Sequence, residues 1–386
     1  MNQLIDKQPK RLPLKSAHPY HMYDMIQETP KGIDRILKEE LPLIKEVAKQ
    51  LAGKKNILLV GIGTSYHATL NAKYLLRNVG HIHAEAFNSF EFIQDFPLDL
   101  YESSSTAIVI FSHRGVKKYS HAAYTKSREL GLYTVLLTGT ETVIEEKLDA
   151  IIRTSIPEQS SAFTISHTAS AFVSLLLSNE IAKIKSPSTV IPDEKVTEIS
   201  SILQSIFDKK QDDIKKYCKF VVDSGVTHLY YLGYGVNESN CYEVALKINE
   251  ATWDYTTGYQ VEQYLHGPFV ATGPSTLSTF LIGGTDVKYQ PSIERSNSVL
   301  KAVIAVNGKA AAIIPESDTL TPTNIGPDGV IIKLPTVLEP LSLFTNLYTL
   351  QLITYWLALE RKTNPDSFRR EQPFHDKAFV NSGILL

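Results

Sequence analysis

Short apolar runs alternate with longer amphipathic stretches through the first half of the chain. Ile57-Leu58-Leu59-Val60, Ala107-Ile108-Val109-Ile110-Phe111 and Thr134-Val135-Leu136-Leu137 have the continuous apolar character of strands covered on both faces, as parallel-sheet strands are. Between and after them, residues 66–78, 117–130 and 142–148 place apolar side chains at helical spacing. A β-α-β-α succession requires crossover connections, which are right-handed, so the pattern predicts a doubly wound α/β unit around a parallel sheet.

A helical stretch at 166–185 leads into KIKSPSTVIPDE, where Pro and Ser interrupt the pattern and mark a linker. The succession then restarts. A helix is predicted at 193–217, then the strand Leu229-Tyr230-Tyr231-Leu232, the glycines Gly233 and Gly235, and a helix at 238–252. The first half has the same order: a helix at 31–51, the strand Ile57–Val60, Gly61 and Gly63, then a helix. Repetition of strand, Gly-x-Gly and helix predicts internal duplication. Further strands are expected at Thr279–Ile282, Ala311–Ile314 and Val330–Leu334, with a long helix at 340–360. The expected organisation is an entry segment at 1–30, a first unit at 31–187, a second at 188–364 and a tail at 365–386.

Composition narrows the class of partner. The 386 residues carry 39 Lys+Arg against 41 Asp+Glu, a net charge of −2, so no basic excess is available for a nucleic acid backbone. Hydrophobic residues are 43% and charged residues 21%, the balance of a folded globular chain. The longest apolar runs are broken by Ser, Thr, Gln or Tyr, so membrane spans are not expected, nor is a signal peptide in MNQLIDKQPKRLPLK. Cys218 and Cys241 are too few for a disulfide framework, and a cytoplasmic location is the expectation.

Two turns carry candidate chemistry. Gly61-Ile62-Gly63-Thr64-Ser65 lies where a buried strand passes into a helix, a place where backbone N–H groups and the helix dipole attract an anion. It does not continue into a dinucleotide fingerprint, because Tyr66 and His67 stand where a third glycine would be needed. The next strand ends in Ser112-His113-Arg114-Gly115-Val116-Lys117-Lys118, a hydroxyl and several cations at a helix start. Cations there oppose the helix dipole unless an anion offsets them. In the second half Lys247 and Glu250 lie three apart and share a helix face, and His266 opens the turn His266-Gly267-Pro268. By spacing alone neither is distinguished from an ordinary surface pair or an ordinary loop histidine.

Taken in order, these segments resemble the double-SIS sugar isomerase family, in particular the isomerase region of glucosamine-6-phosphate synthases and the archaeal glucosamine-6-phosphate deaminases. The resemblance rests on Gly61-Ile-Gly-Thr-Ser-Tyr-His-Ala68, Ala245-Leu-Lys-Ile-Asn-Glu250, the segment Glu262–Pro268, Glu371-Gln372-Pro373 and the early Met25-Ile-Gln-Glu-Thr-Pro30. It implies two flavodoxin-like SIS domains and a site for a phosphorylated sugar or amino sugar. Gly63, Thr64, Ser65 and Ser112 would face the phosphate. His113, Arg114 and Lys117 stand where the family usually has Gln, Ser and Thr, so neutral donors are replaced by charged ones. Glu250 would shuttle a proton between C1 and C2, with Lys247 beside it, and His266 would open the sugar ring from the neighbouring subunit of a homodimer. Lys377 would be the tail lysine that forms an imine, one residue nearer to Gln372-Pro373 than in the family pattern. Glu158 and Ser161 fall in a loop expected to touch the sugar. No metal and no cofactor are implied.

The synthases open with a glutaminase domain bearing an N-terminal cysteine, whereas this sequence starts Met1-Asn2. Ammonia is therefore expected from solution or from a separate glutaminase subunit, or as a product. The leading expectation is interconversion of glucosamine 6-phosphate with fructose 6-phosphate and ammonia. The alternatives are cleavage of a fructosamine phosphate, for which the cationic loop would hold an added acid group, and a non-catalytic sugar-phosphate sensor, which would have no use for a base such as Glu250.

Overall fold

The computed structural model describes residues 7–115, 118–284 and 286–382. Strands β1 (Asn56–Gly61), β2 (His83–Asn88), β3 (Thr106–Phe111), β4 (Tyr133–Thr138) and β5 (Ala150–Arg153) form one sheet in the order β2-β1-β3-β4-β5. Strands β6 (His228–Gly233), β7 (Thr256–Gln260), β8 (Thr276–Leu281), β9 (Lys309–Pro315) and β10 (Val330–Leu334) form a second in the order β10-β9-β8-β6-β7. Read from the opposite edge the second order equals the first, and every pairing in both is parallel. This is the flavodoxin-like doubly wound topology, present twice.

Alternation along the central strands explains how the units join. In β1, Ile57 and Leu59 enter an apolar core that also holds Leu229 and Tyr231 of β6, so one core runs between the two sheets. Leu58 and Val60 point the other way, into a cluster with Phe92 and Tyr124 that serves only the first unit. Tyr230 and Leu232 do the same in the second unit, with Phe280 and Leu300. The shared core is filled by the helices Thr64–Asn78, Ile165–Lys185, Glu238–Ala251 and Glu339–Glu360, of which Ile165–Lys185 and Glu339–Glu360 are buried almost all round.

Four sequence expectations are corrected. Residues 142–148 form no helix. Their backbone is held in irregular form by distant side chains: Gln8 bonds both the N–H and the C=O of Val143, and Arg153 donates to the carbonyls of Gly139 and Thr142. The helix expected at 31–51 is two helices, His21–Arg35 and Leu41–Ala52, joined by a π-helical turn at Ile36–Glu40. Pro42 in the first turn of the later helix has no N–H to give to a preceding turn. The boundary expected after residue 30 falls inside His21–Arg35. The stretch 193–217 is three helices, Asp193–Thr197, Ile199–Lys209 and Gln211–Asp223. Strands β2, β5 and β7 went unrecognised. All three are sheet edges, with one neighbour each and mixed burial, so they lack the continuous apolar character that marks a central strand.

Candidate active site

An open parallel sheet forms a crevice beyond the carboxyl ends of its strands where the strand order reverses, and in the first sheet that point lies between β1 and β3. A cleft of about 240 Å³ occupies it. The turn after β1 lines it with Gly63, Thr64 and Ser65, and the turn after β3 with Ser112, His113 and Arg114. The first turn can form only with glycine. A Cβ on Gly61 would lie 2.5 Å from the Ser65 carbonyl oxygen, and Gly63 has φ +58°. The helix Thr64–Asn78 starts there, its positive end toward the cleft. Ser161 lines the same space, and helix Glu238–Ala251 of the second unit brings Lys247 and Glu250 into it. Nine of the sequence-derived candidates thus meet in one cleft.

The charged pair has a buried support that sequence reasoning missed. Lys247 is 2% exposed, in contact with the Glu250 carboxylate and 3.8 Å from Oε1 of Glu243. Glu243 is buried one helical turn before Lys247 and receives Nδ1 of His67 at 2.7 Å, while Nδ1 of His167 lies 3.6 Å away. Burial alone would raise the Glu243 pKa, but Lys247, His167 and His67 outweigh it and hold the carboxyl at about 2. Burial would likewise favour a neutral Lys247; the adjacent Glu250 and Glu243 prevail and raise its pKa, so it remains an ammonium. His167 is pushed down to about 4, chiefly by burial, and stays neutral. An ionised carboxylate fixed against an ammonium can take a proton from carbon and return it to a neighbouring carbon, with the cation beside a developing oxyanion.

Other candidates have different places. The Nε2 of buried His113 accepts the N–H of Glu158 at 3.0 Å, so that ring ties the two loops together. Glu158 does not line the cleft itself. It receives the N–H groups of Thr164 and Ser166 and the Ser166 hydroxyl at the start of helix Ile165–Lys185. Burial raises it to about 7, against those hydrogen bonds and the charge of Lys247. His266 is exposed on the second unit, opening a turn in which Gly267 has φ +135°, and does not line the cleft. Lys377 is exposed on the tail helix Pro373–Asn381, whose Phe379 does reach the cleft. Lys117 lies outside the described residues.

The second sheet has the same turn, with Gly235 at φ +58° as at Gly63, but its crevice is filled. The Glu339 carboxyl accepts the Gly284 N–H, and a Cβ on Gly283 would lie 2.1 Å from Oε2 of that carboxyl. Burial, reinforced by Asp286 and opposed by the Gly284 hydrogen bond, raises Glu339 to about 8. The protein's own side chain occupies the place that is open in the first unit.

Comparison with known proteins agrees with this fold. Residues 50–178 match the SIS domain family. The chain is 24% identical over 360 residues to a glutamine–fructose-6-phosphate aminotransferase (isomerizing) of Thermococcus kodakarensis, an alignment covering 92% of this chain and 58% of that protein. The chain thus spans little more than half the length of that relative. The C-terminal domain of glucosamine-fructose-6-phosphate aminotransferase from Francisella tularensis superimposes with a TM-score of 0.78 at 19% identity, covering 92% of this chain and 99% of that one. A glucosamine-6-phosphate deaminase from Thermotoga maritima gives 0.70 at 18%, over 90% and 97%. No helix among the described residues is long and apolar enough to cross a membrane. Residues 50–178 thus carry the match to the SIS domain, and the same sheet topology is repeated in the second half of the chain.

Proposed function

We propose that the protein is a phosphosugar isomerase that interconverts glucosamine 6-phosphate with fructose 6-phosphate and ammonia. One observation carries the reading: Lys247 and Glu250, from the second unit, open into the same cleft as the Gly61–Ser65 anion cradle and Ser112 of the first. In the synthetic direction the Lys377 amine condenses with the C2 ketone and water leaves, and ammonia then displaces that amine to give the C2 imine. Glu250 then takes the C1 proton and delivers it to C2, while the C1 hydroxyl proton passes to the imine nitrogen, turning the C1 alcohol into an aldehyde and the C2 imine into an amine. Lys247 stabilises charge on the oxygen at C1. Thr64, Ser65 and the helix start hold the phosphate. His266, supplied by the second subunit of a homodimer, acts on the ring oxygen, and Lys377 forms an imine with the ketose. The units at 31–187 and 188–364 bind and transform, and ammonia comes from solution or a separate glutaminase.

The relatives' names support the substrate class, and the open first crevice supports a single site per chain. Purified protein is incubated with glucosamine 6-phosphate while ammonia and fructose 6-phosphate are measured, beside Glu250→Gln. Turnover that is lost in the variant is the expected result. Absence of turnover in both directions, with ammonia supplied for the reverse, rejects the proposal.

A further inference from the structure

The cleft holds more positive charge than a sugar phosphate needs. Its anion cradle, formed by the Gly61–Ser65 turn and the helix start, lies beside three arginines: Arg11 from the N-terminal segment, Arg114 from the turn after β3 and Arg370 from the tail. Arg370 is accounted for, because its Nε donates to Asp376 at 2.8 Å. Arg11 donates to the Ser161 hydroxyl at 2.9 Å and its guanidinium lies 5.4 Å from the Phe163 ring centroid, which fixes it without neutralising it. Arg114 has neither a hydrogen bond nor an ion pair among the described residues. Arg114 lies close enough to Arg11 to disfavour the charge of the Arg11 guanidinium. Desolvation and then Arg114 push the Arg11 pKa down, with Glu158 and Asp366 opposing, although part of the Arg11 side chain stays in solvent.

Their position separates them from the cradle. Arg11, His113 and Arg114 also line a small side chamber of about 20 Å³ with Glu158 and Pro157, and none of Gly63, Thr64 or Ser65 reaches it. Two like charges held together at a ligand cleft are stabilised by an anion that bridges both. A guanidinium fork suits a carboxylate or a phosphate oxygen pair better than a hydroxyl.

We propose that Arg11 and Arg114 form a second anion subsite and that the physiological ligand is a sugar phosphate bearing another acidic group remote from its phosphate. This rests on the reading of the cleft as a sugar-phosphate site and narrows its substrate class. Three six-carbon probes test it by calorimetric titration at low salt: glucitol 6-phosphate, with an uncharged C1; 6-phosphogluconate, with a carboxylate there; and fructose 1,6-bisphosphate, with a phosphate there. At least one of the doubly anionic probes is expected to bind about 10-fold or more tightly than glucitol 6-phosphate, the gain from one or two charge-assisted hydrogen bonds. Which of the two is preferred distinguishes a carboxylate from a phosphate. Arg114→Gln is expected to bring the ratio of affinities to within about threefold, and Arg11→Gln, on a separate segment, to lower it as well. Binding of glucitol 6-phosphate with no preference for either doubly anionic probe overturns the subsite and leaves the sugar-phosphate reading standing. A ratio unchanged in both variants, or an equal loss for all three probes in Arg114→Gln, also overturns it. Binding of none of the three overturns both readings.

Discussion

Replacing Lys247 with methionine removes the cation from the buried network while keeping the chain length of the side chain. Oε1 of Glu243 lies 3.8 Å from the ammonium, and at an effective dielectric of about 20 that separation corresponds to about 4 kcal/mol. The titration of Glu243 gives a similar figure. A carboxyl held at about 2 instead of 4.5 favours the folded state by about 3 kcal/mol when ionised. Because that pKa is depressed, the stabilisation is present above about pH 4.5 and is lost as pH falls toward 2. In Lys247→Met the Glu243 carboxylate keeps its burial penalty and loses its main compensation. The expected loss at pH 7 is about 3–5 kcal/mol by urea unfolding, the range for breaking a buried ion pair. The difference from the native protein narrows as pH is lowered to 4, where the variant's Glu243 takes up a proton. The double variant Lys247→Met/Glu243→Gln recovers most of the loss, because the fully buried carboxylate goes with its counterion and Glu250, the other partner of Lys247, faces the cleft. A loss below about 1 kcal/mol, or a difference that does not narrow on acidification, would refute the assignment of Lys247 as the counterion of Glu243.

Glu250→Gln is expected to lower kcat for glucosamine 6-phosphate by about 10²–10⁴ with KM little changed, measured by ammonia release, since it removes proton transfer and leaves the phosphate cradle intact. If His266 acts across a dimer, mixing inactive His266→Gln and Glu250→Gln subunits restores about a quarter of native activity, one intact site in each mixed dimer; no recovery after subunit exchange opposes a shared site. Borohydride reduction in the presence of fructose 6-phosphate should label Lys377, and mapping the label to another lysine removes Lys377 from the mechanism. Glu339→Gln should flatten the pH dependence of stability: a carboxyl raised to about 8 costs nothing below its unfolded value and progressively more as pH rises, so the variant's advantage grows by about 1.4 kcal/mol for each pH unit between about 5 and 8.

What sequence reasoning could read followed the range of the interactions involved. The central strands were legible because sheets covered on both faces demand continuous apolar runs, as at Ile57–Val60 and Ala107–Phe111. The edge strand His83–Asn88 mixes exposed and buried positions and resembles a loop. The stretch 142–148 has helical spacing, yet its backbone is bound by Gln8, 135 positions away, and no local pattern carries that information. The site divides the same way. Gly61, Gly63 and the Lys247–Glu250 pair are local motifs. Glu243 had a local signal, one turn before Lys247, but its partner His67 lies 176 positions away on the other unit and marked itself only as the residue standing where a fingerprint glycine would be.

The duplication explains why one fold repeated twice leaves one site open. Both units build the same Gly-x-Gly turn at the start of a helix, with φ +58° at Gly63 and at Gly235. In the first, the crevice beyond that turn stays open and is faced with hydroxyls and cations; in the second, Glu339 fills it. The second unit contributes differently, through helix Glu238–Ala251, which carries Lys247 and Glu250 across to the first unit's crevice and anchors them through Glu243 to His67 on helix Thr64–Asn78. Anion binding thus comes from one copy and the charged pair from the other. A buried carboxylate such as Glu243 is tolerable only where both copies supply its partners, so the contact that joins the units is also the one that sets the charge of the pair in the cleft.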